Sequence, residues 1–477
     1  HDRKYPEGIA LRLPAPGPLS DFHSAIKRTM VPRMTQHPDK KLQAMRTLAA
    51  HLASLLDADL YIRLWDGERI PLGSNVQSDL GYAINSPAAI ARIVRRPKLA
   101  TLIELFAAGE IEIEGGTLID IAHHRGKLRT RGLFRRINKK LLLQCVLPFL
   151  FASGASGSST QTSQAYGGAI ETSVDKGRDD KALIHFHYDL SNAFYALFLD
   201  PRMVYTCAYF ENRDTTLEEA QVAKLDIVCR KLRLQEGEKF LDIGCGWGAL
   251  ICHAAEKYGV HAHGVTLSEE QFAFATERIK QLGLQDKVTI ELKDYRHIDA
   301  WGSFDKIASV GMFEAVGIDN HSTYFSQMHA LLRPRGMYLH HSIARPGKRN
   351  MKKFRRQRAE YKALTTYIFP GGELDTIGMS LNGLESHGFE VHDVEALREH
   401  YQRTCRLWTE RLYAQREAAA AEVGWQKTRL WLLYLAGCSL SFERSAVGIF
   451  QTLASRKDKG PSGLPPTRAD LYDPGSS

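Results

Sequence analysis

The sequence predicts an α/β protein in which helices cover both faces of a parallel sheet, preceded by a smaller α+β unit. Two observations carry this reading. From Lys239 onward, short apolar strands alternate with amphipathic helices, the pattern of strands joined by crossover helices. Before that region, Ser153 to Ala169 is almost pure Gly, Ser, Ala, Thr and Gln, a composition that reads as a flexible linker between two folded parts.

These features divide the 477 residues into an amino-terminal α+β domain (1–150), a linker (151–178), an α/β domain (179–456) and a Pro-, Gly- and Asp-rich tail expected to be disordered (457–477). In the first domain, His37 to Leu56 has helical spacing. Leu60 to Trp65 alternates like a strand and stops at the hairpin signal Asp66-Gly67. Helices are expected over Pro87 to Val94 and Thr101 to Ala108, and a strand over Glu110 to Glu114. In the second domain the predicted strands are Lys239 to Ile243, His261 to Thr266, Val288 to Leu292 and Lys306 to Val310. Helices are predicted over Ala249 to Tyr258 and Glu269 to Leu282.

The formal charge of +9 and pI near 9.0 favour an anionic partner: nucleic acid, an acidic small molecule or an anionic membrane. Basic residues cluster at Arg125 to Lys140, with Leu128, Leu133, Phe134 and Ile137 interleaved, and again at Lys348 to Arg358. No recognised nucleic-acid module accompanies them. The seven cysteines are scattered without a C-x-x-C pair, which fits a reducing cytosol. No secretory signal and no membrane-spanning run of about 18 apolar residues is visible, so a chain that meets a membrane is expected to lie on its surface.

The chemistry centres on Phe240 to Leu250, where a strand enters Asp242-x-Gly244-x-Gly246-x-Gly248 and a helix follows. Glycines there let backbone pass under a ligand and aim helix amides at it. The spacing differs from the G-x-G-x-x-G of dinucleotide sites and resembles the first motif of class I methyltransferases, Rossmann-like enzymes that use S-adenosylmethionine. The next strand ends Thr266-Leu267-Ser268, where generic members carry an acid for the ribose, and Gln271 follows. Ser268 also reads as the cap of the helix starting at Glu269, with Gln271 completing a capping box. Asp294-Tyr295 falls where an adenine-contacting pair is expected.

Further motifs flank the glycines in order: His187 to Asn192, Phe198 to Pro201, Tyr205 to Phe210, Ser309 to Glu314, His341 to Ile343 and Tyr367 to Gly372. Together they resemble cyclopropane-fatty-acyl-phospholipid synthases, over roughly Ala182 to Gln451. The amino-terminal domain, through Glu110 to Gly116, resembles the sterol-carrier-like lipid-binding domain of the bacterial enzymes.

The resemblance implies methyl transfer to the cis double bond of an unsaturated phospholipid, followed by ring closure as bound bicarbonate takes a proton from the carbocation. It implies that Cys207, Glu314, His341, Ile343 and Tyr401 surround that anion, with Cys207 and Ile343 acting mainly through backbone. It places the cofactor on Tyr205, Thr206, Asp242, Gly244, Cys245, Gly246, Trp247 and Gly248, then on Thr266, Leu267, Ser268, Gln271, Asp294 and Tyr295. No metal is expected. His340 stands beside His341 as a rival ligand. Ala315 follows Glu314 where the family commonly has histidine, which leaves a methyl or methylene branch as an alternative product. A small-molecule N- or O-methyltransferase and a lipid binder with an inactive transferase domain are the competing classes. The expected setting is an anionic membrane met peripherally from the cytoplasm by a homodimer, without nucleic acid. The aromatic stretch Ile184 to Leu199 is read in part as a lid over the cofactor.

Overall fold

The computed structural model describes residues 39–124, 135–150, 165, 170–188, 190–356 and 358–472. Residues 151–164 and 166–169 of the expected linker, and 125–134 of the first basic run, lie outside them. From Lys40 onward the chain forms one compact unit built around two sheets.

The smaller sheet has four strands, β1 (Tyr61–Arg63), β2 (Arg69–Pro71), β3 (Gly81–Ile84) and β4 (Ile111–Glu114), in the order β2-β1-β3-β4. The Asp66-Gly67 turn joins β1 to β2 as an antiparallel hairpin, as the sequence indicates, and Gly67 takes a φ of 89°. Helices Lys40–Leu56, Pro87–Arg95, Leu99–Ala107, Leu118–His124 and Lys139–Leu150 belong to this part.

The larger sheet has seven strands. They are β5 (Lys239–Ile243), β6 (His261–Thr266), β7 (Val288–Leu292), β8 (Phe304–Val310), β9 (Leu332–Ala344), β10 (Phe389–Ala396) and β11 (Gly448–Arg456), in the order β10-β11-β9-β8-β5-β6-β7. Every strand from β5 to β8 matches the sequence reading closely. The sheet is mixed, however: β11 runs antiparallel to both neighbours, whereas an all-parallel sheet was expected. Three helices, Arg398–Ala414, Arg416–Val423 and Trp425–Glu443, separate β10 from β11, and after the last of them a short turn inserts β11 between β10 and β9 in the opposite sense.

The expected tail is a second correction. Among residues 457–472, Arg468 pairs with Asp393, Arg233 with Asp470 at 2.8 Å, and Leu471 is 1% exposed. An apolar anchor flanked by ion pairs holds this segment on the body despite its Pro- and Gly-rich composition.

The small sheet's helices meet helix Trp425–Glu443. Ile119 packs with Ala436 and Leu440, Arg429 pairs with Glu112 at 2.6 Å, and Tyr367 donates to Glu104 at 3.2 Å.

Candidate active site

Two cavities open at the carboxyl ends of the parallel strands, where α/β sheets form their sites. The first surrounds the glycine turn. Asp242 is the penultimate residue of β5, and Gly244, Cys245, Gly246 and Trp247 follow the strand around the cavity floor. Gly244 adopts φ 76°, and a Cβ there would come 2.8 Å from Met312 Cγ, so glycine is required twice over. Tyr205, Thr206, Thr266, Leu267, Gln271, Asp294 and Tyr295 complete the expected lining. Ile184 reaches the same cavity from helix Asp180–Tyr188, consistent with part of the aromatic stretch lying over it.

Two expected cofactor residues do not line this cavity. Gly248 begins helix Ala249–Tyr258 at φ 80°, and a Cβ would come 3.0 Å from Ala275 Cβ, so its smallness serves helix packing. Ser268 is buried and caps helix Glu269–Gln281 by accepting from Gln271 N. The capping box is incomplete. Gln271 Oε1 accepts from Thr266 Oγ1 at 2.8 Å, and the Ser268 amide also turns to that hydroxyl.

The electrostatics of the first cavity include a residue the sequence reading missed. Lys224, on helix Leu217–Leu232, borders the cavity and donates to Thr206 Oγ1 at 3.0 Å. Burial lowers its pKa to about 8, against the opposing pull of Asp200 and Asp242. Burial raises Asp242 to about 7, and Lys224 only partly offsets this. Its Oδ1 is buried with no partner. A helix position that reads as ordinary amphipathic Lys gives no local signal of this role; only its spacing onto the buried face does.

The second cavity, of about 960 Å³, is mostly walled by apolar side chains. It brings together all five residues assigned to the anion: Cys207, Glu314, His341, Ile343 and Tyr401. They come from a loop, a 3₁₀ turn, two positions of β9 and helix Arg398–Ala414. Leu99, Ile103 and Leu118 of the amino-terminal helices also form part of the wall, opposite residues of helix Trp425–Glu443 such as Leu433 and Tyr434. Lys348, Arg356 and Arg358, from the second basic cluster, border it where the chain is exposed, beside the half-buried Arg345. Tyr205, Thr206, Val310, Gly311 and Phe369 line both cavities and form their common wall.

Strand alternation on β9 decides between the two histidines. His340 turns into the core, where Tyr338 OH and Ser342 Oγ each lie 3.0 Å from its ring nitrogens. His341 borders the cavity, 1% exposed, with Nε2 unpartnered. Burial, reinforced by the charges of Lys224 and Lys231, holds its pKa well below the ordinary value. Glu314 is 6% exposed and burial raises its pKa to about 7. Its Oε1 accepts from Ile343 N at 2.5 Å, while Oε2 has no partner.

That contact corrects one expectation: the Ile343 amide is already taken by Glu314 and is not free for an anion. Cys207 is a fully buried thiol, pushed well up in pKa by burial, whose Sγ faces the Ala208 and Leu397 carbonyls. Tyr401 packs on Phe442, with ring centroids 4.7 Å apart. No cluster of three or more metal-ligating side chains occurs among the described residues.

The unpaired Asp242 Oδ1 suits an ammonium group, and the glycine floor leaves room for a cofactor lying on it. On the other side of the wall, a carboxyl able to carry a proton near neutral pH faces the same apolar space as an unpaired imidazole nitrogen. A small hydrogen-bonding anion fits between such groups.

The family described as mycolic acid cyclopropane synthetase matches residues 175–452. A probable fatty acid methyltransferase from Pseudomonas putida is 37% identical over 87% of this chain and 97% of its own length. The crystal structure of mycolic acid cyclopropane synthase CmaA1 complexed with SAH and CTAB aligns at 35% identity and TM-score 0.55, covering 59% of this chain and 100% of that one. That of the cyclopropane synthase MmaA2 from Mycobacterium tuberculosis gives 35% and 0.54, covering 58% and 98%. The larger sheet and its helices therefore have the class I methyltransferase fold.

Proposed function

We propose that this chain, which belongs to the mycolic acid cyclopropane synthetase family, transfers the methyl group of S-adenosylmethionine to the cis double bond of an unsaturated phospholipid acyl chain and closes a cyclopropane ring. The observation that carries the reading is the shared wall. A glycine-floored cavity, into which Asp242 brings a carboxylate with one unpartnered oxygen, backs directly onto a larger, mostly apolar cavity that holds Glu314 and His341.

S-adenosylmethionine supplies an electrophilic methyl on a cationic sulfur. Asp242 would hold its amino group through the unpartnered Oδ1, and Thr266, Gln271 and Asp294, which line the same cavity, would hold the rest of the cofactor. The apolar wall from Leu99 to Ile449 holds the acyl chain away from water. There the alkene's electron pair forms the new carbon–carbon bond as the methyl–sulfur bond breaks. The resulting carbocation loses a proton, and the electrons of that C–H bond close the ring. A bicarbonate held in the second cavity would supply the acceptor for this proton. His341 would hold it through Nε2, and Glu314, whose pKa burial raises to about 7, would orient it through Oε2.

The basic residues bordering the second cavity favour a substrate with an anionic headgroup, met on a membrane surface. No described helix is long and apolar enough to cross a membrane. A methyl or methylene branch from the same cation is the second reading. It is favoured by Ala315 beside Glu314 and by the name of the Pseudomonas putida relative.

Incubation with vesicles of monounsaturated anionic phospholipid and radiolabelled S-adenosylmethionine tests the reading. Label should enter the lipid extract, fall several-fold in bicarbonate-depleted buffer and return when bicarbonate is added. Label appearing in soluble amines instead, with lipid unmarked, would refute it.

A further inference from the structure

Behind the wall of the second cavity, three polar residues stand side by side across neighbouring strands. The register sets Glu395 of β10 opposite Gln451 of β11, and Gln451 opposite His341 of β9. Lys231, whose side chain is 1% exposed, lies against this row. Its Nζ donates to Gln451 Oε1 at 2.6 Å and to Glu395 Oε2. Glu395 Oε1 accepts from Tyr209 at 3.3 Å. Gln451 Nε2 in turn lies 3.4 Å from His341 Nδ1. Neither Lys231 nor Gln451 borders the cavity.

The donor and acceptor inventory leaves one consistent arrangement. An ammonium only donates, so Gln451 must turn its oxygen to Lys231. Its NH₂ group also only donates, so the His341 nitrogen it faces must accept. A neutral imidazole that accepts at Nδ1 carries its proton on Nε2. That nitrogen is the unpartnered one beside Glu314's cavity.

We propose that Lys231 and Gln451 are positioning residues that lock His341 in the tautomer whose Nε2–H points into the second cavity, making His341 a fixed hydrogen-bond donor to an oxyanion rather than a base. Burial keeps the ring from gaining a second proton, so the donor is supplied without a charge that would repel a carbocation. The opposite tautomer would aim a lone pair at the anion. Glu395 completes the device by compensating the buried ammonium, which would otherwise be driven to lose its proton and its orienting effect. The identity of the anion rests on the proposed reaction; the tautomer assignment does not.

Nitrogen-15 NMR of the full chain labelled with ¹⁵N-histidine tests this. The His341 resonances are identified by their loss in His341→Gln. They are expected to show a protonated Nε2 and an unprotonated Nδ1 near neutral pH. A wild-type ring protonated at Nδ1 would overturn the proposal without bearing on whether lipid is methylated. Gln451→Glu, a near-isosteric change, offers Nδ1 only acceptors. Where the spectrum shows the proton moved to Nδ1, kcat should fall about 10- to 100-fold, the scale of one hydrogen bond to a charged group, with S-adenosylmethionine affinity unchanged. Full kcat in a variant that lacks the Nε2 proton would also overturn it. Gln451→Met is the fallback should the glutamate not fold: it leaves Nδ1 without a donor, and kcat should track whatever Nε2–H population remains.

Discussion

The two cavities are neighbours that share a wall, yet they are assembled in opposite ways. The cofactor-side cavity is built chiefly from consecutive strand–turn–helix units, with Asp242 to Trp247, Val265 to Leu267 and Lys293 to Tyr295 each contributing a short contiguous block. The lipid-side cavity draws on many segments far apart in sequence between Leu99 and Ile449, across the small sheet's helices, β9, a 3₁₀ turn and the last helices. Local chain geometry therefore specifies the first, while long-range packing specifies the second. Substitutions in the first should act on cofactor affinity, and those in the second on turnover and substrate choice.

The sharpest separation should come from Glu314→Gln. It keeps an acceptor for the Ile343 amide but removes the carboxyl proposed to orient the proton acceptor. Turnover should fall by about 10²- to 10⁴-fold, the usual range for proton-transfer groups, with S-adenosylmethionine affinity by calorimetry within about twofold. A matching loss of cofactor binding would collapse the distinction. Asp242→Asn should do the reverse, weakening the cofactor by about 10- to 100-fold, the scale of one charge-assisted hydrogen bond. Because the Asp242 carboxyl ionises only near pH 7, cofactor affinity in the wild type should also rise as pH increases from 6 to 8.

Smaller effects probe the far wall. Ile103→Trp fills part of the lipid-side cavity from the amino-terminal unit, so KM should rise several-fold for long acyl chains and less for short ones. Equal effects on both lengths would place Ile103 away from the chain. Neutralising Lys348, Arg356 and Arg358 should weaken binding to anionic vesicles by about fivefold per charge at low salt, and by less at high salt.

Stability offers an independent check on the second cavity. Burial raises Glu314 from 4.5 to about 7, so between those values the folded chain binds a proton that the unfolded chain has released. Folding draws stability from this group's burial at low pH and loses it as pH rises through that window. The melting temperature of Glu314→Gln should therefore climb relative to wild type between pH 5 and 8. A constant difference would show that Glu314 ionises normally.

The same contrast explains what the sequence disclosed. The strands β5 to β8 and the glycine turn were legible because hydrophobic period and turn chemistry are local signals. Ser268 shows the limit of local reasoning. Its capping role was readable, but Gln271's preference for Thr266 over the cap was not, since it depends on how β6 meets the helix. The five residues of the second cavity were found only through resemblance to known enzymes, because nothing near Tyr401 or His341 in sequence signals that they meet. Lys224, Lys231 and Gln451 were missed for a related reason. A buried lysine is recognisable only once its partners, here Asp242 for one and Glu395 for the other, are seen across the fold. The reversal of β11 escaped too, since a parallel and an antiparallel core strand share one composition.

The central claim is that a methyl group crosses the shared wall to an alkene whose cation then gives up a proton on the lipid side. Its most direct test is the ¹³C NMR spectrum of fatty acid released after incubating the protein, bicarbonate and monounsaturated phospholipid vesicles with methyl-¹³C S-adenosylmethionine. Label is expected in the CH₂ of a cyclopropane ring at the former double bond. Label found in a headgroup or a soluble amine, with the alkene intact, would contradict it.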